Sequence, residues 1–203
     1  MPHHPDNFRA VNLLAFQDAA FCVAFRICFF MWRRQGGKSY TIASKAIDRM
    51  IEKPWRNCFF VSASIATGKE IVEKEATIWH DALGALKACQ DKLGKQLGGN
   101  VIDKTSKELL NVDDLAELMD KQAAQVRIYH TRTAYSRTKI LAPNPDTARG
   151  WTGDVFGDEI GFWPDFKGVW DAVEPIISRN PEFLFWLFST PPADDTHCLL
   201  YTS

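Results

Sequence analysis

Short apolar runs alternate with longer segments of helical periodicity over residues 26–86, and this order limits the folds open to the chain. The runs RICFFM at 26–31 and NCFFVSA at 57–63 have the length and composition of buried strands. Residues 39–53 and 65–86 carry apolar side chains near helical spacing, and Pro54 ends the first of these segments. A strand–loop–helix–strand–helix order is typical of a mostly parallel sheet flanked by crossover helices, so we predict an α/β fold.

The rest of the chain predicts further elements and shows no internal repeat. Strands are expected at residues 125–131 and 138–143, which pair with each other, and at 182–192, with a strand and a loop at 151–163. Further helices are expected at 12–24, 107–124 and 165–179, with a turn at 94–100 and a polar connection at 144–150.

Composition excludes few classes of function and sets no strong charge preference. The 203 residues are 46% hydrophobic and 24% charged with a net charge of -1, which is ordinary for one domain, or one and a fraction. Any basic surface that contacts nucleic acid must therefore be local. The cysteines show no metal-binding or disulfide spacing, and no segment resembles a signal peptide or a membrane span. We therefore expect a soluble intracellular protein with reduced thiols at Cys22, Cys28, Cys58, Cys89 and Cys198.

The segment WRRQGGKSY at 32–40 lies between the first predicted strand and the helix that follows it. Its Gly37-Lys38-Ser39 ends like a phosphate-binding loop, in which backbone amides bind phosphate, the lysine reaches the terminal phosphates and the hydroxyl binds Mg²⁺. The first glycine of that motif is replaced by Trp32. Three residues alone recur by chance in about a tenth of chains of this size, but the position between strand and helix favours the phosphate-binding interpretation.

A second motif, VFGDEIGF, places two carboxylates at the end of an apolar strand. Asp158 is suited to hold Mg²⁺, and Glu159 to polarise the attacking water of a phosphoryl transfer. The alternative is an ordinary surface Asp-Glu pair. Because open α/β sheets place ligands at the carboxyl ends of their strands, we expect this pair to face the Gly37-Lys38-Ser39 loop.

Two weaker signals accompany these motifs. The strand FLFWLFSTPP ends in Ser189-Thr190, whose hydroxyls are suited to sense a γ-phosphate. Without the other two motifs, a core strand with a proline stop would be the preferred interpretation. Gln17 in LLAFQ, upstream of the loop, is suited to read an adenine edge.

Taken in order, LLAFQ, RRQGGKS, FFVSAS, ARGWTGDVFGDE and FSTPP resemble the ATPase domain of tailed-phage large terminases, the motors that package DNA into proheads. That family tolerates the loss of the first P-loop glycine and commonly carries arginine and glutamine before the GK[ST] sequence, so Trp32 fits it. The resemblance implies a P-loop NTPase fold of the ASCE/RecA-like class, with ATP and Mg²⁺ as cofactors.

The resemblance also implies roles for individual residues. Glu159, Arg34 and Lys38 are the expected catalytic residues, Ser39 and Asp158 the Mg²⁺ ligands, and Ser189-Thr190 the motif that couples hydrolysis to movement. The expected ATP-binding residues are Gln17, Arg33, Arg34, Gln35, Gly36, Gly37, Lys38, Ser39 and Tyr40. One departure is Gly157, where the family usually has an apolar residue.

The resemblance implies a domain organisation and partners as well. Residues 1–197 are expected to form the ATPase domain and residues 198–203, CLLYTS, a non-native or truncated tail. The family carries a C-terminal nuclease domain, and the resemblance implies that this sequence is truncated before it. The expected partners are double-stranded phage DNA, the portal protein and the small terminase subunit. We expect a monomer in isolation, a homo-oligomeric ring when assembled, and a location in the host cytoplasm and transiently on the prohead, with no membrane. The alternatives are a helicase-like or remodelling ATPase and a nucleotide-binding scaffold without turnover.

Candidate DNA contacts lie in RIYHTRTAYSRTK, which carries cations and tyrosines without an acidic residue. These candidates are Arg127, Arg132, Arg137 and Lys139, and the alternative is a solvated hairpin face. Lys45, Arg49 and Lys53 recur at helical spacing and are expected to form a solvated helix face.

Overall fold

Seven strands form one mixed sheet in the computed structural model of the chain, which describes residues 13–62, 65–96, 119–122, 125–131, 133–150 and 152–191. In chain order the strands are β1 Ile27–Met31, β2 Asn57–Ser62, β3 Met119–Gln122, β4 Gln125–Tyr129, β5 Tyr135–Leu141, β6 Asp154–Asp158 and β7 Phe185–Ser189. The helices are α1 Ala15–Phe21, α2 Lys38–Glu52, α3 Ile65–Gln96, α4 Pro145–Ala148 and α5 Phe166–Arg179, with a 3₁₀ turn at Ile160–Phe162.

The strand order is β1-β7-β6-β2-β5-β4-β3, and the first five strands of that order are parallel. Registers align the carboxyl ends of these strands, with Met31 opposite Ser189 and Ser62 opposite Asp158. Strands β4 and β3 extend the sheet as antiparallel neighbours of β5. The polar residues that follow β1, β6 and β7 therefore meet at one edge of the sheet.

Helices cover both faces of the parallel part of the sheet and produce two apolar cores. On one face α2 and α3 pack on Phe60, Phe156, Trp186 and Phe188. On the other face α5 packs on Phe59, Val61, Val155, Phe185 and Leu187. All residues of β6 and β7 are buried, as expected for parallel strands between two helical layers. The predicted α/β fold with a mostly parallel sheet flanked by helices is confirmed.

Most predicted elements are present with shifted ends, and the pairing of β4 with β5 is confirmed. The predicted helix at 107–124 is wrong over Met119–Gln122, which form strand β3 beside β4. Backbone pairing with an exposed sheet edge outweighs the weak helical preference of so short a segment. The remainder of that predicted helix, at 107–118 and 123–124, lies outside the described residues.

Two predicted loops are partly helical. Helix α3 continues through Gln96 and so includes the start of the predicted turn at 94–100, whose remainder lies outside the described residues. The predicted polar connection at 144–150 contains the short helix α4. The predicted tail at 198–203 lies outside the described residues.

The predicted solvated face of Lys45, Arg49 and Lys53 is wrong at Lys45 and Arg49, whose side chains are 15% and 13% exposed, and is confirmed at Lys53, which is 49% exposed. Arg49 Nε lies 3.0 Å from Oδ2 of Asp154, a fully buried carboxylate at the start of β6. Lys53 pairs with Glu182 at 2.8 Å, and Lys45 Nζ lies 4.6 Å from the centroid of the Phe21 ring. Charges at helical spacing do not reveal a buried carboxylate on another element, which attracts Arg49 to the core.

The described side chains of Cys22, Cys28 and Cys58 are free thiols, and those of Cys89 and Cys198 lie outside the described part of the chain. Among the described helices, none has both the length and the apolar character needed to cross a lipid bilayer.

Candidate active site

The loop at residues 32–37 connects β1 to α2 and faces the amino end of α2. Gln35 and Gly37 adopt positive φ angles of 58° and 74°, which belong to the left-handed region of the backbone. Glycine tolerates this conformation at position 37 without strain. A Cβ at Gly37 would also collide with the side-chain amide of Gln17. Because the first amides of a helix have no intrahelical acceptor, this loop and the 15-residue helix behind it form a site for an anion.

Trp32, at the position of the missing first glycine, anchors the loop in the core. Its ring lies 5.0 Å from that of Phe16 on α1 and 5.8 Å from that of Phe188 on β7, measured between centroids. Its amide donates to the carbonyl of Ser189 at 3.0 Å. The loop therefore starts from a rigid aromatic contact rather than from a flexible glycine.

Asp158 and Glu159 follow each other at the end of β6. Adjacent strand residues point to opposite faces, but Glu159 has φ 50° and ψ 46°, so the chain turns there. Both carboxylates consequently line one cavity beside the P-loop. A left-handed backbone at a residue with a side chain is uncommon and is characteristic of functional sites.

Gly157, the departure from the family pattern, makes room for an aromatic ring. A Cβ there would lie 2.8 Å from Trp163 and 2.7 Å from Leu187. Trp163 packs into this space and donates its indole N–H to the carbonyl of Asp158 at 3.1 Å. The glycine therefore lets Trp163 hold the backbone from which both carboxylates project.

Glu159 is bound at both carboxylate oxygens. Lys38 Nζ lies 3.1 Å from Oε1, and Oε2 accepts hydrogen bonds from the Thr190 amide at 3.1 Å and the Thr190 hydroxyl at 2.8 Å. Burial by itself would raise the pKa of Glu159, but the hydrogen bonds from Thr190 and Lys38 outweigh it and lower that pKa. Glu159 is therefore ionised at neutral pH, as a base that polarises water must be.

Burial raises the pKa of Asp158 to about 6, and the charge of Glu159 adds to this while Lys38 opposes it. Ser39 and Asp158 line the same cavity. A hydroxyl and a carboxylate are hard oxygen donors, and Mg²⁺ in nucleotide sites takes one or two protein ligands together with phosphate oxygens and water. The two residues fit that ion. Among the described residues there is no cluster of three His, Cys, Asp or Glu side chains that would hold a metal without a nucleotide.

The cavity has a volume of about 520 Å³ and opens at the carboxyl edge of the sheet. It is lined by Arg34, Gln35, Gly37, Lys38, Ser39, Tyr40, Glu70, Lys74, Asp158, Glu159, Phe162 and Thr190. Most of the predicted ATP-binding, metal-binding and catalytic residues thus meet in one place.

Comparisons with known proteins agree with this geometry. The family model described as "Terminase large subunit, T4likevirus-type, N-terminal" matches residues 29–200. The chain belongs to this family. No curated protein matches the sequence.

Solved structures of large terminases share the fold at low sequence identity. The ATPase domain of the Thermus phage P74-26 large terminase is 17% identical with a TM-score of 0.59, covering 91% of this chain and 67% of that one. An arginine-to-alanine mutant of the same phage domain is 16% identical with a TM-score of 0.62, covering 94% and 70%. The HK97 bacteriophage large terminase is 15% identical with a TM-score of 0.59, covering 94% of this chain and 36% of that one. The family resemblance predicted from the motifs is confirmed, and the shared fold agrees with it.

Three residues of this terminase domain line the cavity without having been predicted. Glu70 and Lys74 lie one turn apart on α3, and Phe162 is 56% exposed on the 3₁₀ turn. Glu70 and Lys74 have the spacing of an ordinary solvated ion pair, which gave no sign of a site. Only the path of α3 past the strand ends brings them to the cavity.

Some predicted ATP-binding residues are not part of the described cavity lining. Within the loop, Arg33 is exposed and Gly36 is buried, and neither belongs to the cavity lining. Gln17 is 5% exposed, and its side-chain amide lies 3.3 Å from the Gly36 carbonyl and 3.4 Å from the Gly37 carbonyl.

Ser189 connects the strand end to neighbouring loops rather than lining the described cavity. Its hydroxyl accepts a hydrogen bond from the Gly161 amide at 3.3 Å and donates one to the Thr190 carbonyl at 3.0 Å. Its own carbonyl accepts from Trp32. The Ser189-Thr190 pair therefore touches the turn after β6, the carboxylate of Glu159 and the start of the P-loop.

The candidate DNA contacts Arg127, Arg137 and Lys139 lie on the β4–β5 pair, at alternate positions that the burial pattern assigns to the more exposed face. The Arg127 guanidinium lies 5.2 Å from the centroid of the Tyr135 ring. Arg137 Nε donates to Asn57 Oδ1 at 2.9 Å, and Lys139 is exposed. Arg132 lies outside the described residues.

Proposed function

We propose that this domain hydrolyses Mg²⁺-bound ATP in the cavity between the P-loop and the ends of β6 and β7, and that hydrolysis drives translocation of double-stranded DNA. The observation that supports this most directly is the network in which Lys38, the first residue of α2, and Thr190, the residue after β7, both bind Glu159. It places a phosphate-binding lysine and a candidate coupling residue each within hydrogen-bond distance of the candidate base.

Each residue has a role consistent with its position. Lys38 and Arg34 would neutralise charge on the transferring phosphoryl group, and Glu159 would orient the attacking water. Mg²⁺, held by Ser39 and Asp158, would supply charge stabilisation at the phosphate oxygens. A phosphate bound by Lys38 would draw the lysine from Glu159 Oε1 and leave that oxygen free to accept a hydrogen bond from water.

The coupling role of Ser189-Thr190 is supported by their contacts. Thr190 binds Glu159, while Ser189 binds both the turn after β6 and Trp32 at the start of the P-loop. A change in the position of Glu159 during the reaction would therefore alter the contacts of β7 and of the loop that holds the nucleotide.

The partners are proposed from the family. They are double-stranded phage DNA, the portal protein and the small terminase subunit, with subunits assembled as a ring on the prohead in the host cytoplasm. The chain spans 36% of the HK97 large terminase that it resembles. Nuclease activity is proposed for a separate C-terminal domain of the whole protein.

The test is ATP binding and turnover by the purified chain. We expect Mg²⁺-dependent ATP binding that Lys38→Ala and Ser39→Ala weaken, with slow hydrolysis in isolation because a neighbouring subunit helps to complete the site. Turnover by a strict monomer at about 10 s⁻¹, a typical enzymatic rate, would contradict the need for a ring. Binding with no hydrolysis, even with DNA and portal present, would favour a nucleotide-binding scaffold. Strand separation coupled to hydrolysis would favour a helicase-like ATPase.

A further inference from the structure

The side-chain amide of Gln17 is occupied at both ends. Its Nε2 faces the carbonyls of Gly36 and Gly37 at 3.3 and 3.4 Å, and its Oε1 accepts a hydrogen bond from the Leu14 amide at 2.8 Å. The residue is 5% exposed and does not belong to the described lining of the nucleotide cavity. In this arrangement both N–H groups of the amide face loop carbonyls, and its oxygen already accepts one hydrogen bond.

The two carbonyls that Gln17 contacts belong to the peptides that carry the amides of Gly37 and Lys38. A trans peptide points its carbonyl and its N–H in opposite directions. The Gly37 carbonyl also accepts the Thr41 amide at 3.0 Å, so helix α2 helps to orient the Lys38 amide. The contact of Gln17 with the Gly36 carbonyl turns the Gly37 amide away from Gln17. Gly37 and Lys38 both line the cavity, so that direction is the one from which a phosphate would approach.

An aromatic contact fixes the position of helix α1, and therefore of Gln17, relative to the P-loop. The neighbouring Phe16 packs edge-on against Trp32 at the start of the loop, with ring centroids 5.0 Å apart. Gln17 is close enough to Gly37 that the loop has no space for a side chain at that position. Adjacent residues of α1 thus contact both ends of the P-loop.

We propose that Gln17 is a positioning residue that holds the P-loop backbone in its phosphate-binding shape, and that it acts on the phosphates rather than on the base. The inference deepens the proposed function and rests on ATP binding at this site. It also assigns a structural role to Trp32, because its ring packs against Phe16 of the helix that carries Gln17.

Inorganic tripolyphosphate separates the two roles because it has the phosphates of ATP without a base. Binding of ATP, GTP or tripolyphosphate in the presence of Mg²⁺ would be measured by isothermal titration calorimetry on the unmodified chain and on Gln17→Met. Methionine keeps the length of the glutamine side chain but lacks its N–H donors. We expect the variant to bind ATP and tripolyphosphate about tenfold more weakly, with the ratio of ATP to GTP affinity unchanged. Tenfold corresponds to about 1.4 kcal/mol.

Glu73→Gln, an exposed change on α3, is the matched control and should bind all three ligands as the unmodified chain does. The titration stoichiometry and the unfolding midpoint without ligand report how much of each variant is folded. Weaker ATP binding with unchanged tripolyphosphate binding would make Gln17 a reader of the base and overturn the inference. Unchanged binding of both ligands, or a variant that does not fold, would overturn it as well. If the unmodified chain binds no ATP, the proposed function fails first and this role fails with it.

Discussion

Among single residues, Glu159 has the proposed role of polarising the attacking water, and this role is tested by removing its charge. Glu159→Gln keeps the size of the side chain but removes the negative charge that polarises water, so ATP should bind and stay unhydrolysed. Turnover measured by phosphate release should fall by roughly 100-fold or more.

Asp158→Asn is the comparison variant, and it should weaken Mg²⁺-dependent nucleotide binding. Normal hydrolysis by Glu159→Gln together with loss in Asp158→Asn would show that Glu159 is not the catalytic carboxylate. The nearby Asp154 and Asp165 are poor substitutes. Asp154 is paired with Arg49 at the other end of β6, and Asp165 caps α5 by accepting the Gly168 amide at 2.8 Å.

Arg34 is exposed and lines the cavity, so it can reach a phosphate without breaking a contact of the fold. If it meets charge that grows in the transition state, Arg34→Ala should reduce kcat more than ATP affinity. Lys69→Ala, which removes an exposed cation from α3, should change neither quantity. Equal losses in affinity and kcat for Arg34→Ala would make the arginine a ground-state phosphate clamp.

At the scale of elements, α3 packs on β5 through a buried carboxyl group. Glu75 is fully buried, its Oε2 accepts from the Thr138 hydroxyl at 2.8 Å, and its Oε1 has no hydrogen-bond partner. Burial raises the pKa of Glu75 well above its usual value, and the Thr138 hydrogen bond opposes this only in part. The group is therefore held protonated in the folded state at a pH where it ionises in the unfolded chain.

The sign of the pH dependence follows from that raised pKa. The folded state binds the extra proton, so the stabilisation is complete below the usual pKa of 4.5 and is lost as pH rises through the folded value. Glu75→Gln has no proton to lose. The free energy of unfolding would be measured in urea for both proteins. The value for Glu75→Gln minus the value for the unmodified chain should therefore increase as the pH increases from 5 to 9. A difference that stays constant with pH would contradict a buried, protonated Glu75.

At the scale of the whole molecule, the open face of the β4–β5 pair is the candidate path for DNA. Among the described cations of this face, Lys139 is exposed. A contact between its ammonium group and a DNA phosphate would strengthen binding through counterion release. Lys139→Ala should weaken binding to duplexes of different sequence about equally and reduce the slope of log affinity against log salt by about 1. Lys69→Ala, on the helix that covers the opposite face, is the control. An unchanged salt slope in Lys139→Ala would remove this face from the DNA path.

Local pattern was enough to predict much of the fold and the site. Apolar runs bounded by polar turns located the parallel strands, because a strand buried on both faces needs little beyond its own composition. The same reasoning brought Lys38, Ser39, Asp158 and Glu159 together, since parallel strands end at one edge of the sheet. Strand β3 escaped prediction because its conformation comes from pairing with β4 rather than from its own residues.

The sequence by itself thus determined the alternation of elements, the two principal motifs and the family. Only the tertiary structure decided which side chains those motifs meet. Arg49 is drawn to Asp154 across more than a hundred residues of chain, Gln17 reaches the back of the P-loop from α1, and Trp163 occupies the space left by Gly157. Periodicity describes one element at a time, whereas a buried charge or an unpaired carbonyl is satisfied by whichever element packs against it.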